Sequence, residues 1–514
     1  MFRLLWITWL TANVCMWMND VAAAWLMTTL TASPVMVALV QSASTLPVFL
    51  LGLPSGALAD ILNRRQWFMF TQFWVAANAV VLSAAMFAGW MTAPLLLALT
   101  FGNGIGLALR WPVYSAIVPE LVPRRDLPLA VALNGIAMNT SRVVGPVLAG
   151  ALIATLGSAY VFLLNAVLSL AAGLWIMRWR SEPRASVLPG ERFVGAMRVG
   201  FQYVAQSRSM RAVLLRTAIF FLQSAALFAL LPIVAKHLPG GGAWVYTVLL
   251  ASLGAGAIGA AFFLPRLRVL VTRDRLLRDG TGLQALAMMA VGFAPNVWSA
   301  AAAMTIAGAS WLTVVNILTV SSQLSLPDWV RARGMSIYMM TMMGTSAASA
   351  ALWGHVAGTV GVAWTYVAAA ATGLLLLAAT KRFHAGPHAE EDLTPARILE
   401  EPVPAFPVEH RMGPVMVTIE YRIDPARAEA FAAVMRESRA NRLQKGALSW
   451  GLFRDTTDPG RYIEYFLDES WAEHLRRFDR FTAADAELRA RRLALHIGAA
   501  PPKVSRHIAV PIDR

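Results

Sequence analysis

Between Phe2 and Thr380 about a dozen apolar segments follow one another, each close to the ~20 residues a helix needs to cross a bilayer, and nearly every arginine falls in alternate connections between them. A chain built this way reads as a polytopic membrane protein. Composition agrees: 57% of residues are hydrophobic, 14% are charged and mean hydropathy is +0.55, whereas soluble domains carry roughly a quarter charged residues.

The net charge of +15 raises the question of a nucleic-acid partner, and its placement answers it. Up to residue 382 there are 25 Lys/Arg against 9 Asp/Glu, and beyond it 19 against 20. Of those 25 cations, 22 lie at Arg3, in the even-numbered connections or at the exit of the last span. That is the positive-inside pattern, and it implies no nucleic-acid surface. Cys15 is the single cysteine, which excludes a disulfide framework or a Cys/His metal site. The first segment runs on past any plausible cleavage site and reads as a retained span.

Spans are expected over 3–29, 35–58, 67–88, 94–118, 129–156, 160–177, 211–235, 244–264, 280–294, 297–325, 335–354 and 362–380. The connections after spans 2, 4, 6, 8 and 10 hold Arg64/Arg65, Arg124/Arg125, the run from Arg178 to Arg216, Arg266 to Arg278, and Arg331/Arg333. Lys236 is the exception. This asymmetry favours twelve spans with both termini in the cytoplasm; the weakest is 280–294, and losing it would export the tail.

The long basic connection, with an amphipathic stretch from Phe193 to Val204, divides the spans six and six. VPELVPRRDLPLAVALNG after span 4 is echoed by SLPDWVRARGMSIYMMTM after span 10, as expected of duplicated six-helix bundles. The expected layout is a bundle over 1–178, a cytoplasmic loop over 179–210, a second bundle over 211–382, a Pro-rich acidic linker over 383–411 and a soluble domain over 412–514.

GALADILNRR, from Gly56 through Asp60 to Arg64 and Arg65, resembles the G-x-x-x-D-R-x-G-R-R signature of major facilitator superfamily (MFS) transporters, with Ile61 and Asn63 replacing the usual Arg and Gly. The corresponding GAIGAAFFLPRLR of the second half has the glycines and Arg266 but no acid. In span 5, SRVVGPVLAG supplies Gly145, Pro146 and Gly150, which resemble the G-P-x-x-x-G element of the superfamily's exporters. Proline there removes an amide from the helical ladder, and the glycines permit close approach of a neighbour. WMNDVAAAWLMTTL and the segment after it look like the bacterial branch containing enterobactin-type siderophore exporters and transmembrane secretion effectors. The resemblance implies an all-α membrane protein with the MFS fold of twelve transmembrane helices in two pseudo-symmetric bundles, residing in the bacterial cytoplasmic membrane.

Ionisable residues deep in a bilayer cost about 3 kcal/mol or more, so each needs a partner or a function. At ~1.5 Å per residue, Asp20 lies roughly 25 Å, Arg142 roughly 20 Å and Arg110 roughly 12 Å from the cytoplasmic ends of their spans. Since spans 1 and 4 line the cavity in this superfamily and span 5 packs beside them, the resemblance gathers the three into one cluster. Asp20 is then either a proton-coupling carboxylate that alternates between Arg142 and a proton, or half of a permanent structural pair. Arg110 is expected to anchor an anionic or polar group. Asp60 is expected to latch against a helix N-terminus near Met335, while Arg64 and Arg65 set topology. Trp17, Trp25, Trp111, Trp311 and Met339, Met340, Met342 and Met343 would give an adaptable cavity lining, or face lipid or pack between helices.

Beyond Lys381 the alternation in PVMVTIEYRI, a helix from Pro425 to about Lys445, the strands LSWGLFRD and RYIEYFL around a DPG turn, helices near 470–479 and 483–496, and a last strand VSRHIAV spell a small cytoplasmic α+β ferredoxin-like domain. FRDTTDPGRYIEYFLDESWAEHLRRFDR also resembles the antibiotic-biosynthesis-monooxygenase type, which pairs into dimers, so a homodimer through the tail is an expectation. His474 and Trp471 sit at helical spacing with no cofactor motif nearby, and a regulatory, dimerising or ligand-binding role is expected rather than catalysis.

Together these features lead to a secondary active transporter, not an enzyme, exporting a small amphipathic molecule such as a siderophore, drug or metabolite in exchange for protons. No P-loop, metal cluster or cofactor motif is present. The alternative is a membrane-anchored enzyme or sensor whose tail handles the substrate.

Overall fold

The computed structural model describes residues 2–61, 63–122, 126–178, 193–327, 329–380, 392–394, 396 and 402–510. Two compact units emerge, Met1–Val187 with Leu214–Val320 and Ser336–Phe383, and Leu188–Val213 with Ser321–Met335 and His384–Arg514.

The first unit is helical. It holds α1 (Phe2–Leu30), α2 (Pro34–Ile61), α3 (Arg64–Phe87), α4 (Ala93–Leu121), α5 (Leu127–Thr155) and α6 (Ser158–Met177). After α7 (Phe193–Gln206) follow α8 (Arg208–His237), α9 (Ala243–Leu270), α10 (Arg273–Gly292), α11 (Val297–Leu324), α12 (Arg331–Val360) and α13 (Val362–Ala379). Helices are the natural spanning element because lipid offers no partner for an unpaired amide. Among the described residues nine of them, α2 to α6, α8, α9, α11 and α13, are long and apolar enough to cross a membrane. The other three are more polar for visible reasons. α10 opens with Arg273, Asp274, Arg275, Arg278 and Asp279, α12 with Arg331 and Arg333, and α1 packs against α2, α4, α5 and α6, so protein rather than lipid surrounds it.

The two halves carry the same turn. Gly157 (φ 98°) and Gly361 (φ 83°) are the N-caps of α6 and α13, in the matching strings TLGSAY and TVGVAW. A left-handed φ at a one-residue corner favours glycine, so both halves keep it. The packing is less symmetrical. One core draws on both halves, uniting Met18 to Met27 of α1 and Val37 to Val40 of α2 with residues of α8 to α13. A second, around Leu5, Trp9, Phe68 and Tyr114, draws only on α1 and α3 to α6 among the described residues.

The second unit contains α7 and a four-stranded antiparallel sheet of order β2-β3-β1-β4, from β1 (Val415–Arg422), β2 (Ser449–Arg454), β3 (Arg461–Asp468) and β4 (Lys503–Ile508). Helices α14 (Ala428–Gln444), α15 (Trp471–Asp479) and α16 (Ala483–Leu493) complete it. Each falls on a segment expected from sequence. The alternation of β1 places Val415, Val417, Ile419 and Tyr421 in a core with Phe431 and Met435 of α14.

Candidate functional site

Arg142 on α5 lies over the Trp17 ring of α1 at 5.5 Å and the Trp311 ring of α11 at 4.5 Å. One guanidinium is thus flanked by indoles from opposite halves, an arrangement in which cation–π attraction favours the charge and fixes its plane. Its Nε is buried without a hydrogen-bond partner. The GPVLAG element explains the position. A Cβ at Gly145 would come within 2.6 Å of Trp17 Cβ, and one at Gly150 would overlap the Thr247 side chain of α9, so these glycines let α5 approach α1 on one side and the opposite half on the other. Pro146 lacks the amide that would reach the carbonyl four residues earlier, at Arg142.

Arg110 on α4 is 3% exposed. It lies 5.5 Å from the Trp9 ring, and Nη1 donates a long hydrogen bond of 3.4 Å to the Ala12 carbonyl, while Nε has no partner. Trp9 in turn stacks on Tyr114 at 3.8 Å. Asp20 is half-buried and accepts a hydrogen bond of 3.1 Å from Ser44 Oγ on α2.

Among the described residues no ion pair joins Asp20 to Arg142 or Arg110; the structure assigns the carboxyl a hydroxyl and the guanidiniums indoles. Trp9 and Ser44 are the participants sequence reasoning passed over, the second because a Ser in an apolar helix carries no signal of its own. Lys236, the exception to the charge pattern, donates to the Thr28 carbonyl at 2.6 Å and ties the end of α8 to that of α1.

Of the loop between α2 and α3, Arg65 donates to the carbonyls of Ile176 (3.3 Å, from Nε) and Met177, capping the C-terminal end of α6 where a helix dipole favours a cation. The environment of Gly56 and the side chains of Asp60 and Arg64 lie outside what is described.

The tail buries charge differently. Glu464 on β3 accepts from Arg442 Nε (3.0 Å), Trp450 Nε1 (3.0 Å) and Tyr421 OH (3.0 Å). Asp468 accepts from Arg477 and from His474 Nδ1 (2.9 Å), and Asp485 from Lys445 and Asn441. Burial alone would raise all three carboxyls, but the facing cations outweigh it, holding Glu464 down at about 2 and the two aspartates below their ordinary range. The second ring nitrogen of His474 accepts from Arg506 Nε at 3.1 Å. Both nitrogens are therefore engaged, which leaves no lone pair to act as a general base.

A twelve-helix unit of two like halves, with isolated charges at the joint between them, defines a membrane transporter fold. Solved structures agree: a nucleoside transporter, NupG, superposes with a TM-score of 0.58 at 12% identity over 74% of this chain and 100% of that one. A bacterial homologue of the lysosomal transporter Spinster in an inward-facing conformation gives 0.58 at 14% over 74% and 96%, and a D-xylose–proton symporter 0.57 at 14% over 74% and 97%. A family model described as transmembrane secretion effector matches residues 1–514, and the chain belongs to that family of MFS transporters. The staphyloferrin A transporter of Staphylococcus aureus is 22% identical over 63% of this chain and 81% of its own, and the uncharacterized MFS-type transporter YfiS of Bacillus subtilis 32% identical over 26% and 31%.

Proposed function

We propose that this multi-pass membrane transporter is a proton-coupled exporter, carrying a small anionic amphipath out of a bacterial cell by alternating access, with both termini in the cytoplasm. The observation that carries this reading is Arg142, charged, flanked by Trp17 and Trp311 from opposite halves and without a carboxylate partner among the described residues. A half-buried cation held among apolar helices and left unanswered is costly, and an anionic substrate would answer it. Arg110, on the same half and also lacking an Nε partner, supplies a second anchor. The indoles would hold the apolar body of the same molecule.

Asp20 is the proton site in this scheme. Among the described residues it accepts a hydrogen bond from the Ser44 hydroxyl and joins no ion pair, so taking up or releasing a proton breaks none there. Substrate binding between the halves favours one arrangement of α1, α5 and α11, and protonation of Asp20 the other. The name of the staphyloferrin A transporter supports a siderophore-like metal chelator as one substrate class, and small drugs and metabolites share the needed chemistry.

In inside-out vesicles with an acid interior, uptake of fluorescent anionic amphipaths and siderophores is expected to follow the gradient in the wild type. Asp20→Asn should abolish the gradient dependence while the protein still inserts. Gradient-driven uptake that survives Asp20→Asn would remove Asp20 from the coupling; uptake of cations but not anions would overturn the substrate class.

A further inference from the structure

Within the tail a cavity of about 190 Å³ opens between the sheet and helices α14, α15 and α16. Its floor is apolar, from Val417, Ile419 and Phe466 of the strands. Its walls are cationic. Four cations with little exposure, Arg442 (15%), Lys445 (7%), Arg477 (8%) and Arg492 (8%), line it. They face three buried carboxylates, Glu464 (0%), Asp468 (2%) and Asp485 (5%).

Among the described residues one buried positive charge is therefore unbalanced, and the geometry identifies it. Arg442 and Glu464 form one pair, Arg477 and Asp468 a second, and Lys445 and Asp485 a third. Arg492 must share Glu464 at 3.5 Å, its Nη1 donates to Ser438 Oγ at 2.7 Å, and its Nε is buried without a partner. Two further guanidiniums stand at the rim. Arg489 has no ion-pair partner among the described residues, and Arg506 Nε donates to a ring nitrogen of His474 rather than to a carboxylate. Burial lowers the Lys445 ammonium to about 8 against the pull of Asp485, with Arg477 and Arg442 adding to it.

We propose that this cavity binds a small monoanionic carboxylate with an apolar body. The excess of cations selects a negative charge, and the guanidinium fork suits a carboxylate. Val417, Ile419 and Phe466 select an apolar remainder over an inorganic anion. The volume lies below the ~300 Å³ at which drug-sized pockets begin, so the occupant is about the size of one aromatic ring. The site also touches the cytoplasmic helix of its own unit. Lys445 lines the cavity, while its neighbours Gly446 and Ala447 meet α7, the first against Val199 and the second accepting from Gln202 Nε2 at 3.2 Å. An occupant that shifts Lys445 acts directly on the turn that grips α7.

Binding of radiolabelled benzoate to the full chain in lipid nanodiscs tests this, with benzyl alcohol and inorganic phosphate as competitors. Saturable binding is expected that neither competitor displaces, that weakens at least tenfold in Arg489→Gln/Arg506→Gln, and that persists in Arg142→Gln. Absence of saturable binding, equal displacement by benzyl alcohol or phosphate, or an unchanged affinity in the double variant would each overturn the proposal. Binding lost in Arg142→Gln and kept in the tail variant would overturn it too, by placing benzoate in the helical unit.

Discussion

The helical unit and the tail both bury arginines, and they treat them in opposite ways. In the tail Arg442 and Arg477 each meet a carboxylate, at Glu464 and Asp468, and lie over the ring of Phe466. In the helices Arg110 and Arg142 meet indoles and a carbonyl, and no carboxylate among the described residues. A pair that is complete holds a fold together and is hard to break from one side. A charge left incomplete costs stability, and that cost fits a site that a visiting anion completes. Arg489 and Arg506, and Arg492 with only a share of Glu464, bring something of the second treatment into the tail, where they line a cavity.

The sharpest break in this comparison comes from removing one charge of each kind. Asp468→Asn leaves Arg477 buried without its counter-charge, and the tail should lose about 3–5 kcal/mol, read as faster deuterium uptake across β3 in the full chain. Arg142→Gln removes a charge nothing balances, so protection of α1 and α5 should hold or rise. Transport should nonetheless fall about a hundredfold, equivalent to about 2.7 kcal/mol. Equal destabilisation by the two variants would erase the distinction.

Acid offers a second, smaller separation. Glu464 has its carboxyl held at about 2, where burial opposes ionisation but Arg442 and Arg492 prevail. In the unfolded chain a glutamate titrates near ~4.3, so the folded state gains stability that is complete above that pH and lost as pH falls toward 2. For Glu464 alone this is about 3 kcal/mol. Asp468 and Asp485, also depressed, steepen the same limb. Deuterium uptake in β3 should therefore rise between about pH 4 and 2, whereas Arg110 and Arg142, without carboxylates, give the helices no such loss. A flat profile in β3 would mean that Glu464 and Asp468 are not ionised partners.

How much of this was legible beforehand divides along the same line. Periodicity and charge asymmetry are local properties, and they sufficed for the helices and for every strand of the tail. Asp20, Arg110 and Arg142 stood out because charge in an apolar run is anomalous by itself. Which groups they meet did not, although Trp17 and Trp311 were themselves among the candidate cavity residues. The expected pairing of Asp20 with Arg142 rested on depth along the membrane, while the rotation of each helix turned Arg142 toward Trp17 and Trp311. The tail cavity was invisible for the converse reason: in a polar domain Arg442, Lys445, Arg477 and Arg492 look like a solvated surface, and only the antiparallel β1–β3 pairing and the helices over it turn them inward. The repeated Gly157 and Gly361 corners were readable as TLGSAY and TVGVAW, yet six residues are too few to notice without knowing that both begin a last helix.

The ion pair between Arg198 of α7 and Glu469 should mark the lower end of the scale. The Nη2 to Oε2 distance is 2.6 Å, but the side chains keep 33% and 32% of their exposure, so solvent and salt screen the attraction and its worth is below about 1 kcal/mol. Arg198→Ala should leave β3 protection as in the wild type and raise exchange in α7 less than about fivefold, with the difference shrinking in 0.5 M salt. The neighbouring bond from Gln202 to the Ala447 carbonyl and the packing of Val199 on Gly446 remain to hold the helix. Were α7 to lose protection entirely, an exposed pair would be acting like the buried ones, and partial burial would no longer separate charges that organise the fold from those that decorate it.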